Sequence, residues 1–268
     1  GGSYTLAERN NFYLSFAVAQ KEPTRSDFTD RYKFAADDTY PSSEKLYDWE
    51  LGYQYTAPRL SLGVNLYYMK YKDQLVPTGM VNDDSNALNT NVPDSYRRGV
   101  ELSASWRATG WFTVGANATF SQNRIENYVD ALKDSPTYGK ELGDMTIAYS
   151  PDVIANAFLN FHHRGFEAVF HTQHVGKQYF TNNENDALSL DAYCVTNLNL
   201  AYTFRTRSAR SVRLGLLINN LFNAEYESNG YGYSYMDTWS GPAPVRIDEA
   251  YYFPQAPLNV LANVTVKF

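Results

Sequence analysis

Residues 111–121 read Trp111-Phe112-Thr113-Val114-Gly115-Ala116-Asn117-Ala118-Thr119-Phe120-Ser121. Phe112, Val114, Ala116, Ala118 and Phe120 share one parity, while Thr113, Gly115, Asn117, Thr119 and Ser121 share the other. Side chains alternate across a strand, so this stretch predicts a strand with one apolar and one polar face. The pattern recurs upstream, where Leu60, Leu62, Val64, Leu66 and Tyr68 oppose Ser61, Gly63, Asn65 and Tyr67. It recurs near the end, where Leu258, Val260, Ala262, Val264, Val266 and Phe268 oppose Asn259, Asn263, Thr265 and Lys267. A soluble sandwich would also alternate. Here, however, the polar parity is built of small residues rather than the bulky aliphatics of a sandwich core.

Working outward, ten such strands are expected, at about 12–20, 45–56, 59–71, 95–107, 111–124, 149–162, 165–177, 191–204, 211–222 and 254–268. Short turns fall near Ala57-Pro58, Ala108-Gly110, His163-Gly165 and Arg205-Arg210. The other connections are long: roughly 21–44, 73–94, 125–147, 178–190 and 223–250. Short turns at one end and long loops at the other mark the wall of a transmembrane antiparallel β-barrel, an all-β fold. An even strand count would place both chain ends on the short-turn side.

Composition agrees. Aromatic residues make up 16% of the chain, with 23 Tyr, as expected where rings mark two membrane interfaces. A mean hydropathy of −0.47 averages polar loops and a wet lumen with a thin apolar band. No apolar run is long enough for a transmembrane helix, and no capped helical period is visible. The net charge of −6 argues against a nucleic-acid partner. The single Cys194 falls on the apolar parity of its strand, as a small lipid-facing filler.

A set of short motifs occurs in order. It comprises Ala17-Val18-Ala19-Gln20-Lys21-Glu22-Pro23-Thr24-Arg25-Ser26-Asp27-Phe28, Leu66-Tyr67-Tyr68-Met69-Lys70-Tyr71-Lys72-Asp73-Gln74-Leu75-Val76, Asn91-Val92-Pro93-Asp94-Ser95-Tyr96-Arg97-Arg98-Gly99-Val100-Glu101-Leu102, Tyr149-Ser150-Pro151-Asp152, Val175-Gly176-Lys177-Gln178-Tyr179 and Asn219-Asn220-Leu221-Phe222-Asn223 with Glu225-Tyr226, and the terminal Phe268. Together these resemble the barrel of TonB-dependent outer-membrane receptors, closest to the siderophore-type branch. That resemblance implies a barrel of about 22 strands around a plug, of which residues 1–268 would be the C-terminal portion, its last ten strands. It also implies several partners: the remaining strands and plug, an inner-membrane TonB-type energy-coupling complex, outer-membrane lipids of a Gram-negative cell, and a small-molecule ligand. A surface lipoprotein is a further possible partner.

The motifs also have readings of their own. Proline lacks the N–H a ladder needs, so Glu22-Pro23-Thr24-Arg25 should end a strand. Glu22 and Arg25 would then brace a plug or loop at the outer rim. Arg97 and Glu101 share the lumen parity and could form a register-fixing charge pair or line the substrate path. Ligand contacts are expected in the long loop 226–252, at Tyr231, Tyr233, Tyr235, Trp239 and Arg246, where rings beside glycines suit a bulky ligand. Loop-to-loop packing is the plainer role for those rings. Asp83 and Asp84 lack the spacing of a calcium loop. His162 and His163 point oppositely, as do His171 and His174, so no metal or haem site is expected. No catalytic motif or cofactor is foreseen.

The function these expectations describe is active import of a ferric siderophore, not enzymatic catalysis. Cobalamin, haem or oligosaccharide importers stand beside it. A self-contained ten-stranded receptor or adhesin is the alternative of a different class. One departure is Asn263, where outer-membrane strands often carry glycine five residues before the terminal aromatic; Leu261 likewise stands where a polar residue is usual.

Overall fold

The computed structural model describes residues 1–29, 40–82 and 86–268. Its strands are β1 (Gly2–Leu6), β2 (Asn10–Lys21), β3 (Glu44–Thr56), β4 (Leu60–Val81), β5 (Ala87–Arg107), β6 (Phe112–Ile125), β7 (Met145–Thr146), β8 (Val153–His163) and β9 (Phe166–Val175). They continue with β10 (Gln178–Tyr179), β11 (Ser189–Leu190), β12 (Tyr193–Phe204), β13 (Ser211–Asn219), β14 (Glu227–Asp237), β15 (Val245–Pro254) and β16 (Asn259–Lys267). One curved sheet runs β1-β2-β3-β4-β5-β6-β8-β9-β12-β13-β16, each strand antiparallel to the next. Among the described residues β1 and β16 do not pair, so the wall is open at both edges.

Register turns ten separate alternations into one two-sided wall. Leu14, Leu51, Leu66, Val100 and Phe120 lie abreast across β2 to β6. One residue away along each strand, Tyr13, Gly52, Asn65, Glu101 and Thr119 form the matching row on the opposite face. Leu14 and Val264 are 61% and 65% exposed, which suits contact with hydrocarbon rather than water. Cys194 is exposed on this apolar face, in line with His174, as its parity predicts.

Aromatic rings bound the apolar band. Tyr47, Trp49, Tyr68 and Tyr96 cluster towards the long-loop end, with Trp49–Tyr68 centroids 5.8 Å and Tyr68–Tyr96 6.3 Å apart. Trp111, Phe112 and Phe161 gather at the short-turn end, Phe112 and Phe161 stacked at 4.6 Å. On β5, Tyr96 and Trp106 are separated by about 33 Å of strand, or about 23 Å of depth at the usual tilt. Beyond Tyr96 the outer face turns ionic: Lys70 pairs with Asp94 at 2.9 Å and with Glu126, and Lys72 also pairs with Asp94.

Four expectations need correction. The wall has an additional N-terminal strand, β1, whose five residues are too few for an alternation to be read. Gly2 pairs with Leu14, so the first residues stand part-way up the wall rather than at the short-turn side. Residues 73–94 are not a loop, because β4 and β5 continue as a paired ladder to Val81 and from Ala87. Pro77, which has no N–H to give the ladder, sits at a register irregularity between Pro77 and Val81. A capped helix does exist: α1 (Arg25–Thr29) begins where the Asp27 carboxylate accepts from the Thr24 amide and hydroxyl, each at 2.7 Å. Finally, 223–250 is no plain loop, since β14 and β15 form a long hairpin within it.

Two tight features hold the wall. Arg164 and Gly165 both have positive φ, as a two-residue hairpin turn requires. At Gly99 an added Cβ would lie 2.4 Å from the Phe120 carbonyl oxygen and 2.7 Å from the Tyr67 hydroxyl. The long connections, in contrast, bury their own cores. Val76, Val92, Ile125, Tyr128 and Ile147 form one cluster, and Phe180, Leu188 and Leu190 a second. Fully buried Asn182 ties three segments together, donating to the Pro77 carbonyl at 2.6 Å and accepting from the Ala148 amide at 2.7 Å.

Gly99→Val in the full-length receptor should lose about 1–3 kcal/mol through overpacking, seen as less heat-resistant folded band in unboiled electrophoresis. Gly110→Ala, with nothing within 4 Å of its added Cβ, should match wild type; equal behaviour of the two variants would refute this account. Asn182→Ala leaves a buried carbonyl and amide unpaired, each costing about 1–3 kcal/mol. Faster hydrogen exchange at Ala148, with the wall strands unchanged, is the expected result.

Candidate functional site

The hairpin β14–β15 explains its own sequence. Asn229-Gly230-Tyr231-Gly232-Tyr233-Ser234-Tyr235 alternates glycine or serine with tyrosine. In a strand this sends Gly230, Gly232 and Ser234 to one side and the three tyrosines to the other. The glycine side lies against the second loop cluster. A Cβ on Gly230 would stand 2.7 Å from the Phe180 ring, and one on Gly232 would stand 2.9 Å from both Phe180 and Leu188. Glycine is required there by close approach, and the tyrosines are thereby turned outward.

The outward face is a continuous aromatic surface. Tyr231 stacks on Tyr251 across the ladder at 4.9 Å with planes 15° apart, and Tyr233 lies 6.4 Å from Tyr251. Tyr235 stacks on Trp239 at 6.4 Å and 6°. Three hydroxyls converge on one carboxylate: Tyr233 and Tyr251 donate to Glu249 Oε2 at 2.6 and 2.8 Å, and Tyr235 donates to Oε1 at 3.3 Å. The Tyr233 bond, then that of Tyr251, holds the Glu249 carboxyl below its ordinary range. The bond to Glu249 likewise pushes the Tyr233 phenol up, so these hydroxyls are neutral donors at any physiological pH.

Tyr231, Tyr233, Tyr235 and Trp239 lie together on one face of the hairpin, and Arg246 does not join them. It lies on the opposite face, bonded to Asp248 at 2.8 Å and to Ser234 at 3.1 Å. Sequence reasoning named neither Glu249 nor a contact role for Tyr251; their parity opposite Tyr233 and Tyr231 appears only once the hairpin register is known. Between this hairpin and the raised end of β4 is a crevice of about 310 Å³ lined by Met80, Val81, Leu132, Tyr235, Met236 and Trp239.

The rim and lumen residues disperse. Glu22 accepts from Gln20 at 2.9 Å and from Ser43 at 2.5 Å, closing the end of β2. Arg25 opens α1 and is exposed. Arg97 donates to Ser150 at 2.8 Å and Asn123 at 3.3 Å, whereas Glu101 accepts from Asn65 at 3.2 Å. They form no ion pair, because four residues of strand separate them by about 13 Å. Both still line the lumen, around a groove of about 570 Å³ with Tyr67, Ser121 and Asn123. Asp83 and Asp84 lie outside the described residues. No group of three or more His, Cys, Asp or Glu side chains among the described residues could hold a metal ion.

Solved structures share this wall. The chain aligns over 99% of its length with 36% of the ferric yersiniabactin uptake receptor FyuA from Yersinia pestis, at 19% identity and TM-score 0.67. It aligns over 98% with 33% of the ferric-catecholate import receptor Fiu from E. coli K12, at 18% identity and TM-score 0.64. The copper transporter OprC aligns over 98% of this chain and 38% of its own, at 19% identity and TM-score 0.70. The chain thus spans a little over a third of the length of these proteins, and at such identities the likeness shows the fold. A sequence profile of the TonB dependent receptor-like β-barrel matches residues 1–221. With its open, two-faced antiparallel wall and interlocked loops, the chain belongs to the TonB-dependent receptor-like β-barrel family.

Proposed function

We propose that this chain forms the C-terminal wall and part of the loop cap of an outer-membrane active transporter that captures a ferric siderophore. The observation that carries this reading is the outward aromatic face of Tyr231, Tyr233, Tyr235, Tyr251 and Trp239, held rigid by the glycine side beneath it. A rigid, π-rich surface with hydroxyls at its edge suits a bulky chelate that is partly apolar and partly polar. FyuA and Fiu, whose names specify ferric ligands, have the same wall. A copper importer is the weaker reading, since copper favours sulfur and imidazole donors and this face offers phenols and a carboxylate.

Import through the lumen then falls to the whole receptor. The open edges at β1 and β16 would leave backbone groups unpaired in hydrocarbon, so further strands complete the wall. A plug fills the lumen, where Arg97 and Glu101 meet it, and a TonB-type complex of the inner membrane supplies the energy. The chain itself performs binding and passage, with no bond-making chemistry.

In the full-length receptor, the double change Tyr231→Ala and Tyr235→Ala should weaken binding of an iron-loaded siderophore by about 2 kcal/mol, or about 30-fold in Kd. The assay uses a panel of ferric hydroxamate, catecholate and carboxylate siderophores, with tryptophan fluorescence as the readout. Unchanged affinity for every member that binds wild type would rule the aromatic face out as the capture surface.

A further inference from the structure

Charge in this chain is divided by height along the wall. The short-turn end comprises residues 6–10, 56–60, 107–112, 163–166, 204–211 and 267–268, and it holds eight basic residues with a single acid, Glu8. The chain has 23 basic and 29 acidic residues in all, so the remainder holds 15 against 28, a net charge of −13. Seven of the eight are arginine, half of the chain's 14, and the eighth is Lys267. All eight are exposed, and none has an ion-pair partner among the described residues. Glu167, a carboxylate just inside this end, is already taken by Arg213.

The fold sets these charges in line. Backbone hydrogen bonds join each turn to the next strand: the Thr56 amide donates to the Arg9 carbonyl, Arg107 to Arg59, His162 to Trp111 and Thr203 to Gly165, each at 2.8 Å. Ser211 then pairs with Lys267. Neighbouring strands stand about 4.8 Å apart, so the path from β1 to β16 carries a basic rim about 50 Å long. Beside the rim lie the rings of Trp106, Trp111, Phe166 and Tyr202, each about half exposed. Such rings sit at the level of lipid headgroups, so the arginines next to them reach the phosphates.

We propose that this rim binds the phosphodiester headgroups of anionic phospholipids in the leaflet on the short-turn side, which in outer-membrane barrels is the periplasmic side. A guanidinium gives two parallel N–H donors to two phosphate oxygens, a fit that an ammonium lacks, and this accounts for arginine over lysine. The shape of the rim favours lipid over a protein partner. A line of charges that follows the perimeter of the wall matches an annulus of headgroups, whereas a compact acidic protein would cover only a few adjacent turns. The excess of acid over the rest of the chain means that the rim's charge is local and not a general basicity. The proposal concerns the opposite end of the wall from the loops and is independent of what they capture.

The test uses the full-length receptor in mild detergent, titrated with phosphatidylglycerol or with zwitterionic phosphatidylcholine, and counts the lipids retained by native mass spectrometry. Wild type should retain phosphatidylglycerol in preference to phosphatidylcholine. The combined changes Arg205→Gln, Arg207→Gln and Arg210→Gln should weaken phosphatidylglycerol retention at least about tenfold. That turn is closed by bonds between Thr206 and Ala209 and not by its arginines, so the triple variant keeps its fold, checked by unchanged migration of the unboiled band. Lys133→Gln with Lys140→Gln removes exposed cations from the loop end and should leave retention as in wild type. Equal retention of the two lipids by wild type, or an unchanged lipid count in the triple variant, overturns the proposal. Loss of heparin binding in the triple variant with lipid retention intact also overturns it, and gives the rim to a soluble polyanion.

Discussion

The structure depends on one constraint: every strand must pair with its neighbour in the register that keeps all apolar parities on one side. In hydrocarbon there is no water to take up an unpaired amide, so the ladder has to be continuous. A slip by a single residue would send the apolar row Leu14, Leu51, Leu66, Val100 and Phe120 into the lumen and expose Glu101 to lipid. Register is therefore enforced by the two solvents, and close contacts refine it. The Tyr13 ring occupies the space above Gly52, and Gly99 leaves room for the Phe120 carbonyl and Tyr67. On the lumen side near the short turns, Glu167 takes both guanidinium nitrogens of Arg213 at 3.0 and 2.6 Å, tying two strands that are not adjacent.

The same wall decides where the functional surface can be. Its two faces are committed to lipid and to the lumen, so a conventional hydrophobic core forms only in the connections beyond the membrane band. There the raised ends of β4 and β5, the 125–150 segment and the 178–190 segment bury Val76, Ile125, Phe180 and Leu188 between them. Arg124 and the Thr146 hydroxyl and amide all meet Glu184, a second polar tie beside Asn182. The cap is thus packed and hydrogen-bonded across several segments. The β14–β15 hairpin rests its glycine side on it and presents its tyrosines outward, which links loop packing directly to ligand contact.

Much of this is legible in the sequence, and the limits have physical causes. Alternation located the long strands because a face in lipid and a face in water leave a period of two in the residues themselves. Turn chemistry was equally readable: Asn220 ends β13 in a left-handed conformation, and its side chain bonds the Ala224 amide and carbonyl, both at 2.8 Å. Above the membrane the two-solvent rule lapses, and the period goes with it. The paired stretch from Asp73 to Val81, with its glycine and proline, therefore reads as loop although it is ladder.

The sequence by itself determined an all-β wall, its polar and apolar faces, the end that carries long connections, and the family to which the barrel belongs. Those properties are written in local pattern, one strand at a time. Only the tertiary structure decided that β1 joins the wall, that Arg97 and Glu101 bond elsewhere, and that Arg246 turns away from the tyrosines. It alone brought Glu249 beneath the hydroxyls of Tyr233, Tyr235 and Tyr251. The reason is the same in each case: which side chains meet across a ladder depends on register between segments distant in sequence, and no single segment encodes that.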